Sequence, residues 1–82
     1  MIYLLTQDGC PKCDAIKQFI TKALGNSYLE KIKIVHRTEN EELFRQLVKD
    51  NNVMSTPVLI ADNDILLNPT ISNVKEFIDK NF

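Results

Sequence analysis

The chain has 82 residues, 44% hydrophobic and 26% charged, the proportions of an ordinary globular domain rather than of a disordered or membrane segment. Ten lysines and arginines stand against eleven aspartates and glutamates, for a formal net charge of −1, which excludes the broad basic footprint of a nucleic-acid binder. This length predicts a single small domain over residues 1–82 with one thin core.

No apolar stretch approaches the roughly 20 residues of a membrane span. Met1 leads straight into Ile2-Tyr3-Leu4-Leu5 without a basic or cleavage-type segment, so a cytoplasmic protein that engages no membrane is expected. Ile2 to Thr6 is a continuous apolar run, too short for a helix and suited to a buried strand. Gln7-Asp8-Gly9 follows as a loop. From Pro11 helical spacing takes over, with Ala15, Ile16, Phe19, Ile20, Ala23 and Leu24 on one face and Lys12, Lys17, Gln18 and Lys22 on the other. Gly25-Asn26 supplies the stop.

After a loop from Ser27 to Lys31, the alternation Ile32-Lys33-Ile34-Val35 predicts a second strand ending near His36-Arg37. Strand, helix, strand implies a parallel pair with a right-handed crossover. Thr38 or Asn40 is placed to cap the next helix, with Leu43, Phe44, Leu47 and Val48 as its apolar stripe and Asp50-Asn51-Asn52 as its end. Glu39, Glu41 and Glu42 fall in its first turn, where the helix dipole favours negative charge. Val58-Leu59-Ile60 is the third strand, entered through Ser55-Thr56-Pro57, since proline suits the start of a strand and not its middle. Asp62-Asn63-Asp64 reads as a hairpin turn into Ile65-Leu66-Leu67, which makes these two strands antiparallel. Asn68-Pro69 ends the fourth strand, and Thr70 or Ser72 caps a last helix carrying Ile71, Val74, Phe77 and Ile78 on one side. The order β-α-β-α-β-β-α predicts an α/β fold with a four-stranded mixed sheet. Tyr3, Phe19, Phe44 and Phe77 have the spacing of core residues.

The chemistry concentrates at Gly9-Cys10-Pro11-Lys12-Cys13, where the only two cysteines fall at the junction of strand and helix. A lone C-x-x-C in that setting is the pattern of a thiol-disulfide redox site. Pro11 loses nothing at the first helical turn by lacking an N–H. Cys10 then sits at the helix N-terminus, where backbone donors favour its thiolate, and Lys12 adds a positive charge between the sulfurs while Asp8 and Asp14 oppose it. Cys10 is therefore expected to attack and Cys13, one turn further in, to resolve the mixed disulfide. A zinc site would need four ligands, and the chain offers His36 as its one imidazole, so no metal is expected. His36 reads as a solvated residue at a strand end.

Cys10-Pro11-Lys12-Cys13 after a short first strand, with Ser55-Thr56-Pro57 before a β-hairpin and a final helix, resembles the glutaredoxin branch of the thioredoxin fold over nearly the whole chain. The resemblance implies a small oxidoreductase that reduces disulfide-containing proteins and is recycled by glutathione or a flavin-linked reductase. No tightly bound cofactor is expected, and a monomer is the expected state. It also implies that Pro57 is cis and faces the disulfide, leaving the backbone of Thr56 to pair with a bound peptide or glutathione. Two departures bear on glutathione. Glutaredoxins typically carry a lysine three residues before the first cysteine and Gly-Gly-Asp after the hairpin, where this chain has Gln7 and Asn68-Pro69-Thr70; poor glutathione affinity is the expectation. From a different class, a redox-inert thioredoxin-fold binding module that uses the Pro57 edge is the alternative.

Overall fold

In the computed structural model, residues 2–81 are described; Met1, on which the reading of the chain start rests, lies outside them. Strand β1 (Ile2–Thr6) is followed by helix α1 (Pro11–Gln18), a π-helical segment (Phe19–Leu24) and a short helix α2 (Asn26–Leu29). Strand β2 (Ile32–His36), helix α3 (Glu41–Asn51), the hairpin strands β3 (Val58–Ile60) and β4 (Ile65–Leu67), and helix α4 (Ile71–Lys80) complete it. The sheet order is β2-β1-β3-β4. β1 and β2 are parallel, while β1–β3 and β3–β4 are antiparallel. The mixed four-stranded α/β sheet is the one the apolar runs predict.

Strand alternation decides which helix covers which face. On one face Ile2, Leu4 and Leu59 are buried with Ile16 and Ile20 near α1 and with Val74, Phe77 and Ile78 of α4. On the other, Leu5, Val35, Val58 and Ile60 pack with Phe44 of α3 and with Val53. Tyr3 and Phe19 pack against these clusters at partial burial, so all four aromatics serve the core as their spacing predicts.

Four local expectations are corrected. Ala15 and Ala23 are exposed, because the stripe narrows to Cys13, Ile16 and Ile20, and a wide turn closed by Gly25 N–H on the carbonyl of Ile20 (3.2 Å) follows it. That turn rotates less per residue than an α-helix and carries Ala23 off the buried side. The stretch read as a loop over 27–31 begins inside α2, entered from Gly25 at φ 85°. Asn40 rather than Thr38 precedes α3, and its Oδ1 accepts from His36 N–H (3.1 Å) instead of capping its own helix. Ile71 opens α4 but is 57% exposed. At the start of α4, by contrast, Thr70 N–H donates to Asn73 Oδ1 at 2.6 Å, as a cap should.

Helix α4 is fastened by carboxylates. Asp79 accepts from Tyr28 Oη and Lys75 Nζ, each at 2.8 Å. Its carboxyl is held below the ordinary 3.8, first by the Lys75 hydrogen bond and then by Tyr28. Asp64 is likewise lowered, first by Asn81 and then by the Ile65 N–H. A depressed folded pKa stabilises above the unfolded value and loses that contribution as pH falls through the folded one. The melting temperature should therefore drop as pH is lowered below 3.8, towards the depressed folded values, and drop less in the Asp64→Asn/Asp79→Asn variant. Parallel acid limbs for the two proteins in thermal melts would refute this.

Candidate active site

Two chain segments meet at one end of the sheet. β1 and β3 pair with Leu5 opposite Val58, so the loop leaving β1 towards Cys10 faces Thr56-Pro57, which enters β3. Gly9 makes the turn into α1 at φ 68°, a left-handed conformation in which a side chain is strained. Cys10 is the N-cap residue and Pro11 the first helical one, an arrangement in which the missing proline N–H leaves no bond unmade.

Cys10 and Cys13 form a disulfide with Cα atoms 5.2 Å apart. Cys10 Sγ accepts from the Cys13 N–H at 3.2 Å, so one of the free donors of the helix N-terminus points at the outer sulfur. Exposure separates the pair: Cys10 is partly exposed and Cys13 fully buried. The Thr56–Pro57 peptide bond is cis and Pro57 is buried. Thr56 places its carbonyl oxygen 3.9 Å and its Oγ1 3.8 Å from Cys10 Sγ. Thr56 is thus brought beside Cys10, with Cys13 one turn further along α1 and the cis-proline Pro57 next to Thr56 in the chain.

Pro11 and Lys12 are exposed. Lys12 lines a groove of about 270 Å³ with Pro57, Pro69 and Ile71, on the flank of the disulfide. Asn68 and Thr70 border the same groove.

Sequence reasoning missed the loop that carries Cys10. Thr6 pairs with His36 across β1 and β2, so the residues leaving both strands lie side by side. His36, only 14% exposed at its side chain, is no solvated strand end: its Nδ1 accepts from Thr38 N–H at 3.2 Å. Nε2 therefore carries the proton, donated to Asp8 Oδ1 at 3.0 Å. Arg37 Nη1 donates to Gln7 Oε1 at 3.1 Å. These two pairs tie down Gln7 and Asp8, immediately before Gly9-Cys10. The only signal for them was the parallel register of the two strands.

Among the described residues no group of three or more His, Cys, Asp or Glu side chains is placed to hold a metal ion, and no helix is long and apolar enough to cross a membrane. The cysteine pair forms a disulfide at the end of central strand β1, with Cys10 partly exposed, and is redox-capable. A comparison with curated proteins gives no match. A family model described as a thioredoxin domain matches residues 2–80; with the mixed sheet, the helix-capping cysteine and the cis-proline that follows Thr56, it shows that the chain belongs to the thioredoxin-domain family.

Proposed function

We propose that the protein is a cytoplasmic thiol-disulfide oxidoreductase of glutaredoxin type that reduces protein disulfides. The observation that carries this reading is the asymmetry of the pair: Cys10 Sγ is partly exposed on a helix N-terminus with an N–H directed at it, while Cys13 is buried behind it. In the reduced protein the Cys10 thiolate attacks one sulfur of the substrate disulfide. A Cys10–substrate bond forms and the other substrate sulfur leaves as thiolate. Cys13 then attacks Cys10 Sγ, giving the Cys10–Cys13 bond and releasing the second substrate thiolate, which takes up the Cys13 proton. Two electrons pass to the substrate. Thr56 flanks the attack, its backbone beside Cys10 being free to align an extended substrate chain. Glutathione or a flavin-linked reductase returns the electrons, and glutathione binds weakly because Gln7 and Asn68-Pro69-Thr70 replace its usual anchors.

Turnover of a synthetic disulfide, measured with glutathione and with a flavin-linked reductase separately, tests the reading. Catalysed reduction with at least one donor is expected. No turnover with either would favour the redox-inert binding module.

Lys12→Glu should slow attack by about twofold to fivefold at low salt, the scale of one exposed charge, and the effect should shrink as salt is raised. The fold should survive, since the side chain is exposed. Stopped-flow rates that match the parent at low ionic strength would show that Lys12 does not act on the sulfur.

A further inference from the structure

The surface beside Thr56 continues away from the disulfide as a groove over α3. Its near part, about 180 Å³, lies between Gln7, Thr56 and Met54, and its far part, about 450 Å³, runs out to Arg45 and Lys49. Arg37, Phe44 and Val48 line both parts, which makes them one channel with an apolar floor. Met54, 94% exposed, stands at the end nearest the cysteines.

Charge along this channel is net positive: Arg37, Arg45 and Lys49 line it against one carboxylate, Glu41. Arg45 is paired with Glu41 at 2.8 Å. Arg37 is held by a neutral amide, Gln7 Oε1, and among the described residues neither Arg37 nor Lys49 has a carboxylate at ion-pairing distance. Two uncompensated cations therefore border the groove of a chain whose net charge is −1. The groove on the opposite flank of Cys10 has apolar walls with Lys12 as its one charged side chain.

Resting on the oxidoreductase reading above, we propose that the α3 groove receives an acidic segment flanking the reactive cysteine of a protein substrate. Arg37 and Lys49 select its carboxylates, and Phe44, Val48 and Met54 cover its apolar side chains. A chain joined to Cys10 passes Thr56 directly into the near part of the groove, where Arg37 is already positioned by Gln7. A small inorganic anion would leave the apolar floor bare. A nucleic acid would need a longer run of cations than this groove provides.

Two readouts test this. In the first, labelled peptides with serine in place of the reactive cysteine, flanked by either acidic or basic residues, are titrated by fluorescence anisotropy. The acidic peptide should bind about tenfold more tightly at low salt, with the preference fading as salt rises. The preference should fall to near unity in Arg37→Gln/Lys49→Gln and invert in Arg37→Glu/Lys49→Glu. In the second, kcat/KM for the corresponding peptide disulfides should follow the same order. Equal affinity for both peptides, or a preference that survives the double substitution, overturns the proposal. So does displacement of the acidic peptide by glutathione as effectively as by unlabelled peptide, which would assign the cations to the small thiol. A binding preference without turnover on any peptide supports the groove and overturns the oxidoreductase reading; turnover without preference does the reverse.

Discussion

Cys13→Ser should accumulate mixed disulfides through Cys10, and Cys10→Ser should accumulate none. The expectation follows from position along one helical turn. Cys10 caps α1, meets solvent and receives the Cys13 N–H, so a thiolate there is both stabilised and reachable. Cys13 is fully buried, and an incoming disulfide cannot reach it without first displacing the Cys10 side. Removing the Cys13 sulfur leaves attack intact but deletes the group that expels the substrate, so the covalent intermediate persists. Removing the Cys10 sulfur deletes attack, and reduction of disulfides should fall to the uncatalysed rate. Non-reducing electrophoresis and mass analysis after incubation with a disulfide-bonded protein distinguish the two. Equal trapping by both variants would mean that the roles are shared or reversed. The same Cys13→Ser variant, exposed to a cell extract, would retrieve the natural substrates.

The parts of the fold that follow from short-range rules were legible. The period-two burial of Leu4 against Leu5, and of Leu59 against Val58 and Ile60, needs only the alternation of a strand covered on both faces. The placement of Cys10 needs only Pro11 and the onset of helical spacing. What escaped the sequence depends on distance along the chain. Asp8 meets His36 across 28 positions and Gln7 meets Arg37 across 30, and neither contact can be named until β1 and β2 are set in register. Ala23 leaves the buried face because the helical period lengthens in the turn that widens before Gly25. Lys12 lies between the cysteines in sequence, yet successive helical residues diverge by about 100°. Its side chain accordingly lines the groove beside Pro57, a position that no linear reading of C-x-x-C contains.

Leu59→Ala should be strongly destabilising, and Leu67→Ala on the neighbouring strand should be close to silent. Leu59 is at the centre of the sheet, opposite Leu4 on one side and Leu66 on the other, and is fully buried against the cluster shared with α1 and α4. Truncating a leucine in such a site costs about 2.7–5 kcal/mol, because the transfer free energy is lost and the cavity only partly collapses. For a domain of this size that is a large fraction of the roughly 5–15 kcal/mol that holds a native state together. At about 4–8 °C per kcal/mol for small domains, the melting temperature should fall by at least about 10 °C. Leu67 is 57% exposed, and a surface truncation is expected to stay within about 0.5 kcal/mol. Both variants are to be melted with the cysteines in the same redox state, so that the disulfide contributes equally. β3 also carries Thr56-Pro57 to Cys10, so Leu59→Ala should lose disulfide reduction in step with its folded fraction and not before it. Similar denaturation midpoints for the two variants would show that the core is not organised around the central strand pair.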